Sequence, residues 1–536
     1  MFQNNLLMAA AANASGGGAA ITSVGNSALY STANSENLTY TEQAGTSTNK
    51  QYISFWMYYT GSPSSASFII SCDDGSNNNR FQIYFATTIT VLEVKAGSVQ
   101  CYLISTRQLR DIGWYNIELL LDTTQLAASN RNILKVNNER LTEFSTETNF
   151  TLNDTFGTLG SAGKTFHWGR SGAGTGYLGA YLAESVRIDG DPAGISTGEY
   201  DTTGLYWTPK SSTAIKELTF GTNGFYLDNT TNAQTDASGE GNNFTNNNTV
   251  TLSNHSPTNI VATLNPLNLV VGSGAPVLNI GNTRITSSAA TGYNSGALTT
   301  IPMGAGGKYY FEVYVEGLVA NAVPYGISLG ISPFDLPRKF DSYTTVPGKS
   351  VYEGGTIDFQ GNGYSFLQAN AGAQATNIAP YAPDVGQYLQ CAFDSSNGKI
   401  WYGINNTWYG SGNPSTGANP ASTLDVVTTW HGWIACYTTA AKAVTNFGTT
   451  DYQYTPPTGF GAITTAAITT NTTRTASDTN KYFQTTLYEG NGAGQRVGAF
   501  QPFDNTFTVA KSALFPTSNG NLSKTFGSAG NQKKWT

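Results

Sequence analysis

Charged side chains are scarce in this 536-residue sequence. Asp, Glu, Lys and Arg make up 11% of it, against about 25% in ordinary soluble domains. The net charge is −7 and the isoelectric point is near 5.1. The chain therefore lacks the basic stripe that binds phosphate backbones, and we expect no nucleic-acid partner.

Cysteine is also rare, with four residues in the chain, Cys72, Cys101, Cys391 and Cys436. None stands at a CxxC or other metal-ligand spacing, so the cysteines predict no metal site. Cys72 with Cys101 and Cys391 with Cys436 would allow two disulfides. The favoured interpretation is four small buried thiols in a protein made in a reducing cytoplasm.

Long apolar runs are missing. No stretch of 18 apolar residues occurs, which predicts that the chain does not insert into a membrane. Residues 1–23 have no basic residue ahead of their apolar part, unlike a secretory signal. Two interpretations of this segment stay open: an anchoring arm that orders on a larger assembly, or a disordered tail.

Glycine and aromatic residues are abundant instead, with 59 glycines and 12% aromatics. Asn and Gly tolerate the positive φ of tight turns, and Thr suits a pleated surface. Aromatic rings supply buried area that the sparse aliphatic residues cannot. Because the chain is too long for a single core, length and composition predict an all-β protein of two or three domains.

Alternating residues mark individual strands. Residues 116–121 predict a half-buried strand with Glu118 opposite the apolar face, and residues 308–316 predict a strand with one buried and one wet face. Buried faces are assigned to Ile117, Leu119, Leu121, Tyr309, Phe311, Val313 and Val315. The wet face of residues 308–316 is assigned to Tyr310, Glu312, Tyr314 and Glu316.

A third strand is predicted near residues 177–183, with Leu178, Ala180 and Leu182 on one face and Tyr177, Tyr181 and Ala183 on the other. Tight hairpin turns are predicted at paired asparagines, because asparagine adopts positive φ more readily than other side chains. These pairs are Asn137 with Asn138 and Asn405 with Asn406.

The first half of the chain resembles a known family. NSALY at 26–30, YISFWMYY at 52–59 and YLGAYLAESVRIDG at 177–190 follow the order seen in the concanavalin-like, laminin-G-type jelly roll of phage tail and virion proteins. The resemblance covers most of residues 24–260. It implies a two-sheet sandwich in a virion protein.

The second half resembles a SPRY domain. The motifs are YGISLGIS at 325–332, QYLQCAFDSSNGKIWYGINNTWYG at 387–410 and HGWIACYTTAAKAVTNFG at 431–448. SPRY domains are two-sheet binding modules without catalytic chemistry, so the resemblance implies the same here. Together the two resemblances imply an all-β chain of two tandem antiparallel β-sandwiches, a jelly roll followed by a SPRY-like domain. Residues 256–268 resemble the joint between these two modules in such phage proteins.

Five regions follow: 1–23, an anchoring arm; 24–255, a laminin-G-like jelly roll with a trailing joint; 256–461, a SPRY-like sandwich; 462–504, a linker and small β segment; 505–536, the start of a further laminin-G-like repeat. The last region is predicted because 511–532 aligns with 26–49 through SAL, NL and AG pairs. We expect a longer natural chain, or a final segment that docks on a neighbour. Chance similarity between Ser/Asn/Gly-rich stretches is the alternative.

Catalytic groups are few. His167, His255 and His431 have no Cys, Ser or carboxylate at a triad or metal-cage spacing, so structural roles are expected. Glu184 and Asp189 lie five positions apart, hence on opposite faces of a regular strand. Glu312 and Glu316 share a face, but a wet alternation explains them. We expect no catalytic residue and no enzyme.

Two loops and one glycine run are considered as sites for a cation or a phosphate. Residues 71–80 and 235–243 are rich in the oxygen ligands that calcium takes, but they lack a fixed ligand spacing. Asx turns need no ion and are the favoured interpretation, so no cofactor is expected. The glycine run at 170–176 has no helix after it to present amides to phosphate.

Aromatic rings and amide side chains in loops predict a sugar-binding surface. The candidate ligand-binding residues are Tyr352, Tyr364, Asn405, Asn406, Trp408 and Tyr409. The alternative is that these aromatic residues belong to the core, since Trp and Tyr are highly buried on average.

The resemblance implies a structural virion protein of a bacteriophage, tail-fibre-like or adhesive, that presents its sandwiches to a host-surface glycan. Its arm would contact other virion proteins, and it would form a homo-oligomer, for example a trimer. A capsid-decorating or tail scaffold protein with protein contacts alone is the alternative. A glycan depolymerase is the third hypothesis and requires a carboxylate pair in a cleft.

Overall fold

A computed structural model of the chain describes residues 24–467, except 62–65, 110–111, 202–206, 271–274, 289–294, 305, 319–325, 334–354, 361–364, 370–382, 425, 427–428, 437–438 and 466. Strands in antiparallel sheets dominate the described residues, so the all-β prediction is confirmed. No helix in these ranges is long and apolar enough to cross a membrane. The predicted arm, linker and C-terminal repeat lie outside the described residues, apart from the first residues of the linker.

The first pair of sheets is built from strands within residues 27–253. They are β1 Ser27–Leu29, β2 Asn37–Thr41, β3 Lys50–Tyr59, β4 Ser67–Asp73, β5 Arg80–Phe85, β6 Thr88–Lys95, β7 Ser98–Gln108, β8 Gly113–Asp122, β9 Asn132–Val136, β10 Glu139–Arg140, β11 Phe144–Thr148, β12 Thr165–Trp168, β13 Tyr181–Ile188, β14 Gly198–Tyr200, β15 Trp207–Pro209, β16 Phe225–Leu227, β17 Thr245–Asn247 and β18 Thr251–Ser253. Sheet A has the order β10-β9-β8-β3-β13-β1-β18, with β16 also on β13, and sheet B has the order β11-β7-β6-β5-β4-β12-β2-β17. The hairpin β14–β15 and the short helix α1, Ser212–Lys216, complete this half.

The second pair of sheets is built from strands within residues 264–446. They are β19 Leu264–Val270, β20 Pro276–Asn279, β21 Arg284–Ser287, β22 Ser295–Thr299, β23 Lys308–Gly317, β24 Gly326–Pro333, β25 Gly355–Gln360, β26 Ser365–Ala369, β27 Tyr388–Asp394, β28 Lys399–Ile404, β29 Thr407–Trp408, β30 Ser422–Thr423, β31 Trp430–Cys436 and β32 Lys442–Asn446. Sheet C has the order β19-β22-β31-β24-β25-β26. Sheet D has the order β20-β21-β32-β23-β27-β28-β29, with β30 on β28.

The predicted buried face of the first sandwich is confirmed, but the strand predicted near residues 177–183 begins only at Tyr181, so Leu178 and Ala180 precede β13. Ile117, Leu119 and Leu121 are buried in one core with Leu178, Ala180 and Leu182. Tyr181 and Ala183 point to the other face of sheet A, as predicted, but they are buried in a second core that continues into the other sandwich. Sheet A is therefore covered on both sides.

Glu118 departs from the prediction of a half-buried strand. It lies opposite the apolar face, as expected, but it is completely buried. Residues leading into the hairpin β14–β15 cover it: its Oε1 accepts hydrogen bonds from Ser196 Oγ at 2.5 Å and Thr197 N at 3.2 Å. It also accepts one from Tyr52 OH on the neighbouring strand β3 at 2.7 Å. A strand pattern cannot reveal a later segment that packs over it.

The predicted wet face of β23 is wrong in its first half for the same reason. Tyr310 and Glu312 are buried, because residues 452–460 cross the outer face of sheet D and pack Tyr452 and Phe460 there. The opposite face behaves as predicted, since Tyr309, Phe311, Val313 and Val315 all lie in the interior core.

The paired asparagines form the predicted turns. Asn137 and Asn138 have φ of 50° and 64°, and Asn405 and Asn406 have φ of 45° and 63°. Two successive residues of positive φ give the turn twist that matches a right-handed hairpin. All four cysteines are free and buried, as predicted. Burial raises the pKa of the Cys436 thiol to about 12.

Candidate functional site

The turn between β28 and β29 places two exposed amide side chains beside a row of tyrosines. Asn405 and Asn406 are both exposed. The Asn405 Oδ1 accepts a hydrogen bond from Tyr388 N at 2.8 Å, and the Asn405 N–H donates to Tyr388 O at 2.9 Å. The Asn406 N–H donates to Gln390 Oε1 at 2.6 Å. The turn is therefore tied to the neighbouring strand β27.

Three half-buried tyrosines, Tyr314, Tyr388 and Tyr454, form what we call the tyrosine row. Tyr314 on β23 lies directly opposite Tyr388 on β27 in the antiparallel register, so both rings leave the same face of sheet D. Their ring centroids are 5.1 Å apart, and those of Tyr388 and Tyr454 are 6.0 Å apart. The planes of the second pair meet at 81°, which makes the row an angled surface rather than a flat one.

A buried carboxylate holds the third tyrosine in place. Glu312 Oε2 accepts a hydrogen bond from Gln453 N at 2.8 Å, and Oε1 accepts from Tyr454 N at 2.9 Å and from Tyr310 OH at 2.7 Å. Hydrogen bonds to a carboxylate are stronger than neutral ones. Glu312 therefore fixes the segment that carries Tyr454 across the sheet.

Gln390 links this anchor to the asparagine turn. Its Nε2 donates to Tyr310 OH at 2.7 Å, while its Oε1 accepts from the Asn406 N–H. The chain of bonds Glu312–Tyr310–Gln390–Asn406 is buried at its centre. Satisfied polar networks of this kind rigidify what they connect.

The predicted aromatic residues are distributed over two faces. Trp408 is half-buried and packs on the outer cluster, with its ring centroid 6.5 Å from that of Tyr310. Tyr409 is half-buried and packs against the interior core instead. The structure thus brings Asn405, Asn406 and Trp408 to one surface and directs Tyr409 elsewhere. Tyr352 and Tyr364 lie outside the described residues.

Sequence reasoning missed Tyr388 and Tyr454 and placed Tyr314 only on an outer face. The signal for Tyr314 was its position in the alternation of β23. Its proximity to Tyr388 depends on strand register, and that of Tyr454 depends on the path of a segment without regular structure. Neither is encoded in local periodicity.

The carboxylates considered for catalysis are held by structural hydrogen bonds. Glu184 has a φ of 48° at a bulge in β13, is buried, and accepts a hydrogen bond from Tyr226 OH. Burial raises its pKa to about 8. Asp189 accepts from Thr46 N at 2.8 Å and Gln51 Nε2 at 2.8 Å. The two carboxylates have separate partners.

Glu312 and Glu316 do share a face, as predicted, but they serve different partners. Glu312 is buried under residues 452–460, whereas Glu316 is partly exposed and pairs with Arg284, whose Nε lies 2.5 Å from Glu316 Oε2. Neither carboxylate is free of a partner on this face.

The loops considered for calcium form Asx turns. Asp74 Oδ1 accepts from Ser76 N at 3.0 Å, and its Oδ2 lies 3.2 Å from Lys164 Nζ. Asp236 Oδ1 accepts from Ser238 N at 2.9 Å. Both loops therefore contain the predicted Asx turns. Within the described part of the chain, no group of three or more His, Cys, Asp or Glu side chains is placed to hold a metal ion.

The three histidines are buried. His167 Nε2 lies 3.6 Å from Asp73 Oδ2, and burial lowers the His167 pKa to about 4. His431 Nδ1 lies 2.9 Å from Thr299 O. His255 occupies the joint between the sandwiches.

No protein-family model matches the chain, and no curated protein matches it. Similar solved structures include the SPRY domain of human HERC1, with 15% identity, a TM-score of 0.25 and coverage of 36% of this chain and 99% of that one. Mouse laminin α1 chain domains LG4-5 show 10% identity, a TM-score of 0.27 and coverage of 77% and 82%. A pentraxin from Limulus polyphemus shows 14% identity, a TM-score of 0.23 and coverage of 32% and 79%. SPRY and laminin G, the two domain types that the sequence resembles, both occur among these structures.

Proposed function

We propose that this protein is a non-catalytic binding protein whose second sandwich recognises a glycan through the tyrosine row and the Asn405–Asn406 turn. The observation that carries this proposal is the placement of three partly exposed rings within 5.1 and 6.0 Å of one another, beside two exposed amides. Aromatic rings receive the C–H faces of sugars, and amides bond their hydroxyls.

Rigidity supports this assignment. Tyr314 and Tyr388 stand on paired central strands, and Tyr454 is fixed by the Glu312 carboxylate. A binding group already held in position loses little conformational entropy when its ligand arrives. A shallow surface of this size binds weakly, so several copies in one assembly would be needed for firm attachment.

We further propose that the protein belongs to a bacteriophage virion, as a tail-fibre-like or adhesive component. This step rests on the sequence resemblance of residues 24–260 and on the low charge of the chain. In this role, residues 1–23 contact other virion proteins, and the chain forms a homo-oligomer. The SPRY resemblance of the second half is the basis for proposing that the protein is not an enzyme.

A second candidate, a decorating or scaffold protein with protein contacts alone, is favoured by one specific observation. Leu267 and Val277 are 63% and 40% exposed. They lie on β19 and β20, which are edge strands of sheets C and D. Open strand edges with exposed apolar side chains are ready to pair with another protein.

Glycan-array binding by the full chain, displayed on a multivalent support, tests the first candidate. Tyr388→Ala is expected to weaken binding at least about tenfold, which corresponds to about 1.4 kcal/mol. Tyr200→Ala is the control, because Tyr200 is 54% exposed but lies on β14 in the first sandwich. Equal binding by both variants, or no glycan bound by the natural chain, overturns the glycan assignment. Self-association that Leu267→Glu abolishes would then support the second candidate.

A further inference from the structure

The two sandwiches are joined by a continuous core. Sheet A directs Trp56, Tyr58, Trp114 and Tyr181 into the same buried cluster as the interior residues of the second sandwich. Hydrogen bonds that cross the joint include Tyr181 OH to Gly281 O at 3.1 Å, Asn282 Nδ2 to Thr60 O at 2.7 Å, and Ser253 Oγ to Thr449 O at 2.8 Å. An apolar joint of this kind holds two domains in one orientation, unlike a polar inter-domain contact.

His255 sits inside this joint, in an aromatic box formed by Tyr58, Trp114 and Tyr181. The ring of His255 is fully buried. Its centroid lies 4.2 Å from that of Tyr58, 4.9 Å from that of Tyr181 and 5.4 Å from that of Trp114, on which it is stacked at 29°. A charge in this box would be removed from water almost entirely.

The hydrogen bonds of the ring select its neutral form. The Val261 N–H donates to His255 Nδ1 at 3.0 Å, so the lone pair of Nδ1 is occupied and the ring proton resides on Nε2. Among the described residues, Nε2 has no hydrogen-bond acceptor. A second proton would have to displace the Val261 bond and would create a cation without a counter-ion.

The groups that face the ring come from four elements. They are Tyr58 on β3, Trp114 on β8, Tyr181 on β13 and the Val261 amide of the connecting segment. The titratable groups in this set are the two tyrosines, and burial raises the pKa of both further above the usual range. They stay uncharged throughout the acid range and cannot stabilise an imidazolium.

We propose that His255 is an acid-sensitive latch: its neutral ring locks the two sandwiches together near neutral pH, and its protonation releases the joint while each sandwich stays folded.

The linkage between proton binding at His255 and closure of the joint gives the sign of the pH dependence. Burial lowers the pKa of His255 to about 3 in the closed joint, whereas an exposed histidine titrates near 6.5. The open joint therefore binds more protons than the closed one between these values. The contribution of His255 to closure is complete above about pH 6.5 and is lost as the pH falls to about 3. One proton taken up on opening raises the opening constant about tenfold for each pH unit.

Two buried carboxyls of the first sandwich stabilise its fold as the pH falls, which is opposite to the effect of His255 on the joint. Burial raises the pKa of Glu93 and of Glu184 to about 8, so these groups are neutral in the folded sandwich as the pH falls and favour its folded state. His167 opposes them, because burial lowers its pKa to about 4. Asp74, Asp122, Asp191 and Asp228 oppose them as well, since the pKa of each is lowered in the folded sandwich. The measurements below therefore compare the opening of the joint with the unfolding of this sandwich.

Small-angle X-ray scattering of the full chain between pH 7.5 and 4 measures the opening. The natural chain is expected to expand reversibly at constant far-ultraviolet circular dichroism. His255→Phe, which fills the box without titrating, is expected to stay compact, and the matched variant His167→Gln is expected to expand like the natural chain. Expansion of His255→Phe at the same pH, or an unchanged natural chain at pH 4, overturns the proposal.

Hydrogen exchange of the natural chain provides a second measurement that needs no variant. After correction for the intrinsic pH dependence, exchange at residues 255–264 is expected to rise about tenfold per pH unit below 6.5. Exchange in β3 and β8 inside the first sandwich is expected to stay constant. Loss of protection in both regions at one pH would mean global acid unfolding and would overturn the latch.

Discussion

Glu42 and Arg187 form a bidentate ion pair in the interior of the first sandwich, with both side chains completely buried. Arg187 Nε also donates to Gln51 Oε1 at 3.0 Å, and Gln51 Nε2 donates to Asp189 Oδ1 at 2.8 Å. The guanidinium lies 5.2 Å from the centroid of the Phe166 ring. Glu42 directly follows β2 and Arg187 lies on β13. These strands lie in opposite sheets, so the pair fixes how the sheets stack.

Removing one member of this pair should be far more damaging than removing both. Glu42→Leu leaves an uncompensated buried guanidinium and is expected to lower the free energy of unfolding by about 3 to 5 kcal/mol. Glu42→Leu with Arg187→Met replaces the pair by apolar groups and should recover a large part of that loss. Urea unfolding at pH 7 measures all three proteins. A double variant no more stable than Glu42→Leu would contradict this account.

The buried carboxyl of Glu93 should make stability fall as the pH rises. Burial raises its pKa to about 8, above the ordinary value of 4.5. The neutral acid is therefore favoured in the folded state, and its contribution is complete below about pH 4.5 and lost as the pH rises through 8. Glu93→Gln keeps an acceptor for Gly157 N, which donates to Glu93 Oε1 at 2.6 Å.

Unfolding free energies of the natural chain and Glu93→Gln between pH 5 and 9 test this contribution. The slope should be shallower in the variant. Glu184→Gln is the companion measurement, because burial raises the pKa of Glu184 to about 8 as well. The unfolding free energy of the double variant should depend less steeply on pH than that of either single variant. An unchanged slope in all three variants would refute the assignment.

The strands and turns were predictable because they depend on local chemistry. The spacing of Ile117, Leu119 and Leu121 predicts a buried face. Asparagine tolerates positive φ, so the pair Asn137 and Asn138 predicts a turn. The covered outer faces were not predictable. Glu118 and Glu312 are buried by segments that arrive 78 and 142 positions away, and no periodicity carries that information.

In the candidate site, too, the residues of a local turn were predictable and those brought together by strand pairing were not. Asn405 and Asn406 were predicted because a turn exposes its own residues. The tyrosine row was not, since Tyr314 and Tyr388 meet through strand pairing. Tyr409 follows the predicted turn in sequence, yet it packs on the interior core, because β29 ends at Trp408 and a 3-10 turn over Tyr409–Ser411 redirects the chain.

The Asn406 amide can be separated from its role in the turn. Asn406→Gly keeps the positive φ of 63° at no steric cost, so its melting temperature should equal or exceed that of the natural chain. Asn406→Val forces a β-branched side chain into this conformation and should cost about 1 to 2 kcal/mol. Thermal unfolding distinguishes these outcomes. Weaker glycan binding by Asn406→Gly would then report the lost amide alone, whereas a destabilised Asn406→Gly would show that the side chain supports the fold.

Glu312 should affect binding without touching a ligand. Glu312→Ala removes the acceptor of the Gln453 and Tyr454 amides, so residues 452–460 should loosen and Tyr454 should leave the tyrosine row. Faster hydrogen exchange at these two amides and weaker glycan binding are expected together. Glu316→Ala is the matched control, because Glu316 lies on the same strand face but pairs with Arg284 at the rim. If Glu312→Ala freed the two amides yet bound glycan as tightly as Glu316→Ala, Tyr454 would have no part in recognition, and the binding surface would reduce to Tyr314, Tyr388 and the asparagine turn.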